Sequence, residues 1–106
     1  MDCIFCKIAK GEIDSAKVFE NDKIVAFNDI NPKASVHILI VPKKHIESIK
    51  HLDEADKELI GELFLAAQKI AKDKDLGGYK LIINVGRDGG QLVDHLHLHL
   101  LSGDVI

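Results

Sequence analysis

The chain has 106 residues, 46% hydrophobic and 29% charged, which describes one globular domain over 1–106 and excludes a disordered chain. Fourteen basic residues against seventeen acidic ones leave a net charge of −3. No basic run exceeds Lys43-Lys44 and no apolar run nears the ~18 residues of a bilayer span, so neither nucleic acid nor membrane is an expected partner.

The N-terminus, Met1-Asp2-Cys3-Ile4-Phe5-Cys6-Lys7, lacks the charged start and apolar centre of a signal peptide, so a cytoplasmic location is expected. Disulfides are rare in that compartment. Cys3 and Cys6, the two cysteines of the chain, therefore read as a thiol pair for a metal or a redox partner. Residues 3–9 are predicted as a short helix with Ile4, Phe5 and Ile8 on one face, stopped by Gly11. Strands are predicted at Val18–Glu20 and Ile24–Asn28, with Asn21-Asp22 turning between them. Asn31-Pro32 is a further turn, and Ser35–Pro42 is the densest β-branched run and the expected central strand. One long helix is predicted over 54–73, capped by Asp53, with Leu59, Ile60, Leu63, Phe64, Ala67, Ile70 and Ala71 on its apolar stripe. Gly77-Gly78 ends it, and Tyr79–Val85 reads as the next strand. A polar, glycine-rich loop follows over Gly86–Gln91, and Asp94–Leu101 alternates strictly, as a half-buried strand does. The order predicts an α+β fold: a mainly antiparallel five-stranded sheet, one long helix and a short N-terminal helix.

Six histidines occur, and three stand at 95, 97 and 99. On a strand they share one face, about 6.7 Å apart, while Leu96, Leu98 and Leu100 share the other. The leucines are explained by packing; three imidazoles in a row need partners of their own. Clustered titratable groups favour a site. Metal ligation by a strand His-x-His pair and acid–base or nucleophilic work by imidazole both suit such a row. Upstream, Gly86, Gly89 and Gly90 permit the backbone turns in which successive amides converge on an anion.

GGQLVDHLHLHLL resembles the signature of the histidine triad family. CIFCKIAKGEI, AFNDINPKASVHILIVPKKHI and YKLIINVGRDGGQ resemble its Hint branch in register, so the resemblance spans residues 2–103. It implies a homodimer with a continuous sheet and a site for purine nucleoside monophosphates. It also implies hydrolysis of the phosphorus–nitrogen bond of nucleoside phosphoramidates, or nucleotidyl transfer. His97 matches the nucleophile that carries a covalent nucleotidyl group, and a hydrogen bond at its other nitrogen would fix the tautomer. His99 matches the histidine on the phosphate, with Asn84, Gly90, Gln91 and Val93 around it, and His37 matches a supporting fourth histidine. Asp29 matches the acceptor of the ribose hydroxyls. Ile4, Phe5, Ile8, Phe27 and Ile30 match the apolar walls around the base, although core packing explains these five equally well.

One Cys-x-x-Cys supplies only half of a closed zinc site. Bacterial relatives that resemble this chain complete it with two histidines, which match His45 and His95. The resemblance thus implies a structural Zn²⁺ on Cys3, Cys6, His45 and His95, with no metal required for the chemistry. Leu92 departs from the pattern: relatives often carry Ser or Thr there, and a lost transition-state donor can cost about 10²–10³ in rate. Asp94 also departs, standing where an aromatic or small residue is common. Two other classes stay open: a nucleotide-binding or protein-interaction module with negligible turnover, and a zinc hydrolase that uses the histidine row as ligands.

Overall fold

The computed structural model describes residues 3–104. Cys3 caps a six-residue helix, α1 (Ile4–Ala9), its sulfur accepting from the Cys6 backbone N–H at 3.4 Å. Gly11, at φ +79°, takes the chain out of it as expected. Strands β1 (Lys17–Glu20) and β2 (Ile24–Asn28) form a hairpin whose turn is pinned by the Asn21 side chain, which accepts from the backbone N–H groups of Lys23 and Ile24. The β-branched run becomes β3 (Val36–Pro42). After two single tight turns comes α2 (Lys57–Asp73), then β4 (Lys80–Ile82) and β5 (Leu98–Ser102). The five strands are antiparallel with β3 central, as the sequence predicted, and their order is β1-β2-β3-β5-β4, with β4 on an edge.

The sheet divides the interior into two layers. On one face Ile24, Ala26, Ile38, Ile40, Leu96, Leu98 and Leu100 pack under Leu63, Ala67 and Ile70 of α2. Burying each large aliphatic side chain contributes about 1.5–3 kcal/mol. On the other face Val25, Phe27, Leu39 and Val41 meet Phe5 and Ile8 of the much shorter α1. That short cover leaves part of the second face to the histidines.

Three boundaries differ from the sequence reading by more than one residue. The long helix starts at Lys57, because Asp53 and Asp56 form a capping box around the separate tight turn Glu54–Asp56. Phe64, expected on the apolar stripe, is 42% exposed, and Ala66 takes a buried place there instead. The histidine strand begins only at Leu98. Ladder register would set Leu96 opposite Pro42, which has no N–H to give, and the Leu96 N–H donates to the Ile46 carbonyl instead. With its partner shortened, β4 covers three residues rather than the predicted Tyr79–Val85.

Candidate functional site

The alternation puts the imidazoles and leucines on opposite faces even where the ladder has ended. His95 and His97 both meet Phe5 edge-on, with ring centroids 5.8 and 5.2 Å away, and His97 lies 4.8 Å from His99. The row nevertheless splits into two centres.

The first centre gathers Cys3, Cys6, His45 and His95, whose ligand atoms all lie within 4.8 Å of one another. Nδ1 of His95 is 3.2 Å from Cys3 Sγ and 3.6 Å from Cys6 Sγ, and Nδ1 of His45 is 3.3 Å from Cys6 Sγ. A zinc tetrahedron with Zn–S about 2.3 Å and Zn–N about 2.0 Å has S···N edges of about 3.5 Å, so the group fits such an ion. Nε2 of the fully buried His95 donates to the Pro42 carbonyl at 2.8 Å, which leaves Nδ1 as the lone pair facing the sulfurs. Burial and the adjoining Cys3 raise the Cys6 thiol above its ordinary range. A divalent cation would reverse that by stabilising the thiolate. These four residues could hold a metal.

The second centre is a directed chain of hydrogen bonds. The Lys33 backbone N–H donates to Nδ1 of His37 at 3.0 Å, so a neutral His37 carries its proton on Nε2. That nitrogen lies 2.9 Å from Nδ1 of His99 and 3.4 Å from a carboxylate oxygen of Asp29. Nδ1 of His99 is then an acceptor, which places the His99 proton on Nε2, and this buried atom has no partner among the described residues. Burial, with His97 and His37 alongside, lowers the His99 pKa to about 4, so the ring is neutral at pH 7. Burial likewise lowers His37 and His97. Nδ1 of His97 donates to the His95 carbonyl at 2.7 Å, leaving Nε2 of a neutral ring as an unprotonated nitrogen. Asp29, His37 and His99 also cluster closely enough to suggest a metal. The Lys33 N–H argues against one, since a metal on Nε2 of His37 would need the proton on Nδ1, where that N–H already points.

Around this chain the expected binding residues are spread unevenly. Phe5, Ile8 and Phe27 are buried, whereas Ile4 is 46% and Ile30 89% exposed. One Asp29 oxygen closes a local turn on the Asn31 N–H, and its other oxygen faces His37. Gly90, at φ +86°, lies beside Asn84, whose amide carbon is 3.9 Å from where a Cβ would stand, and Val93 packs onto the Phe5 layer. Gln91 is 2% exposed, and both ends of its side-chain amide serve backbone: Oε1 accepts from Gly86 N–H, and Nε2 donates to the Glu47 and Val93 carbonyls. Sequence reading missed three contributors: the Lys33 N–H, the Pro42 carbonyl, and an Arg87–Asp94 pair at 3.0 Å. Backbone groups leave no residue-type signal; the opposite charges seven residues apart could have suggested the pair.

An α+β domain that aligns neutral imidazoles beside a glycine-rich turn defines a small histidine-row protein. A family model described as the scavenger mRNA decapping enzyme C-term binding region matches residues 2–105. Protein HitA of Neisseria gonorrhoeae is 44% identical over 105 residues, 98% of each chain. The solved structure of a histidine triad protein from Clostridium difficile has a TM-score of 0.96 at 49% identity, covering 100% of this chain and 94% of that one. A HIT family hydrolase from Legionella pneumophila Philadelphia 1 has a TM-score of 0.95 at 48% identity, covering 98% and 95%. The chain belongs to the histidine triad family.

Proposed function

We propose that this protein hydrolyses purine nucleoside phosphoramidates, or transfers their nucleotidyl group, through a covalent intermediate on His97. The observation that carries the reading is the buried, unpartnered Nε2–H of neutral His99, 4.8 Å ring to ring from His97. A neutral donor beside a free imidazole nitrogen suits an anionic phosphorus centre. Nε2 of His97 attacks the α-phosphorus, the phosphorus–nitrogen bond breaks, and the amine leaves neutral with a proton taken from solvent water, while His99 keeps its Nε2–H as a hydrogen-bond donor to the phosphoryl oxygen. The hydroxyl of water then attacks the nucleotidyl-histidine, releasing the monophosphate and restoring His97. Asp29 accepts the ribose hydroxyls, Asn84, Gly90 and Val93 surround the phosphate, and Phe5, Ile8, Phe27, Ile4 and Ile30 flank the base. Gln91 acts behind them, on the shape of the turn. The hydrolase from Legionella supports the general class.

Cys3, Cys6, His45 and His95 would hold a structural Zn²⁺ that ties the N-terminus to the histidine segment. We also propose a homodimer, with the open edge of β4 extending the sheet and the exposed Phe64 and Leu65 covered by a second copy. The free thiols and the absence, among the described residues, of a helix long and apolar enough to cross a membrane agree with a cytoplasmic place. A nucleotide-binding module without turnover is the second reading, favoured by Leu92, which is 82% exposed and has no hydroxyl. The deciding experiment is AMP release from adenosine 5′-phosphoramidate by wild type and His97→Ala. Turnover lost in the variant supports the enzyme, and AMP binding without wild-type turnover moves the protein to the second reading.

A further inference from the structure

We propose that Arg87, held by Asp94, is a positioning residue that aims the backbone N–H of Leu92 into the phosphate subsite; this rests on the nucleotide reading above. Arg87 Nη1 donates to the Gln91 carbonyl. The same guanidinium forks onto Asp94, with Nη1 3.0 Å from Oδ1 and Nη2 3.2 Å from Oδ2. In a planar trans peptide the C=O and the N–H that follows it point in opposite directions. Pinning the Gln91 carbonyl on Arg87 therefore fixes the direction of the Leu92 N–H.

Arg87, Asp88 and Leu92 have backbone N–H groups with no acceptor among the described residues, and of these Leu92 is the one whose peptide carbonyl Arg87 holds. The N–H groups of Gly89, Gly90 and Gln91 are taken by carbonyls inside the turn, and that of Gly86 by the Gln91 side chain. Among the described residues, no acceptor takes the Leu92 N–H. The turn is also close to the imidazoles: the next residue, Val93, packs onto the layer of Phe5, whose ring is 5.2 Å from His97. The Leu92 side chain is 82% exposed, so this position offers phosphate its backbone alone. Gln91 holds the Val93–Asp94 peptide, two along, through the Val93 carbonyl, and Arg87 holds the Gln91–Leu92 peptide through the Gln91 carbonyl. A lone exposed arginine samples many rotamers, and the Asp94 fork confines it. Exposed ion pairs add little stability, so the effect falls on ligand binding.

The test is calorimetric titration of AMP and of adenosine into wild type, Asp94→Asn and Arg87→Met. Positioning and simple charge predict opposite signs for Asp94→Asn, which removes a negative charge near a phosphate yet frees Arg87. We expect AMP binding about five- to tenfold weaker in both variants, adenosine binding unchanged and the Tm unmoved. AMP binding equal to or tighter than wild type in Asp94→Asn overturns the proposal, as does loss confined to Arg87→Met. Independently of any variant, the Leu92 amide proton must shift in the NMR spectrum of wild type on AMP saturation, and an unmoved resonance also overturns it. A wild type that does not prefer AMP to adenosine overturns the nucleotide reading itself, and this inference with it.

Discussion

The backbone carbonyl of His95 accepts a 2.7 Å hydrogen bond from Nδ1 of His97. The His95 ring meanwhile faces Cys3 and Cys6, with Nε2 tied to the Pro42 carbonyl. One residue thus joins the metal-fitting group to the imidazole proposed as nucleophile, by side chain at one end and by backbone at the other.

Replacing His97 with Ala removes the attacking nitrogen while leaving His99 and the base walls in place. Phosphoramidate turnover should fall by about 10³ or more, with AMP binding retained. Single-turnover assays at saturating substrate measure this, and activity within tenfold of wild type would place the nucleophile elsewhere.

His37 sets the His99 tautomer by donating to its Nδ1, so His37→Phe releases that ring to carry its proton on Nδ1. A lone pair would then face the phosphate. We expect kcat/KM to drop about ten- to a hundredfold and the ¹⁵N shifts of the His99 ring nitrogens to exchange character. An unchanged His99 spectrum in the variant contradicts the proposed chain of donors.

Protein prepared without chelator should carry one zinc per chain by elemental analysis. Stripping it, or making Cys6→Ser, should lower Tm by about 10 °C or more, since a metal bound only by the folded state stabilises it through mass action. Metal-free protein with an undiminished Tm would leave the four ligands as a plain thiol–imidazole cluster.

Acid should destabilise the fold through the histidines. The His99 pKa is lowered to about 4 from an ordinary value of 6.5, so between those values the unfolded chain binds the proton that the folded ring refuses. Stability therefore rises with pH across this window and falls as pH drops from 6.5 towards 4. Lowered His37 and His97 add in the same direction. Tm measured from pH 7 to pH 5 should decline, and His99→Asn should flatten the slope; equal slopes would assign the acid sensitivity to other groups.

Much of this molecule could be read in its residues. The alternation of Leu96, Leu98 and Leu100 with histidines placed both faces correctly, because side-chain alternation needs only extended backbone. The β-branched run of β3 and the stripe of α2 were equally plain. What escaped depends on single partners far away in sequence. Pro42 ends the ladder before Leu96 by lacking one hydrogen, a fact invisible until register is known. Phe64 fits a helical period yet faces outward, since a stripe has a width that periodicity does not supply. Gln91 belongs to the site's neighbourhood, but its amide finds its three backbone partners only once the chain has folded.

The late start of β5 gives His97 an unusual mechanical setting. His99, one step along, is clamped in the ladder opposite Leu39, and His95, one step back, is gripped by the sulfur–imidazole knot. His97 is slung between two fixed posts with no rung of its own. With Nδ1 tied to the His95 carbonyl and with Phe5 and His99 against it, the ring takes its place from its neighbours rather than from the sheet.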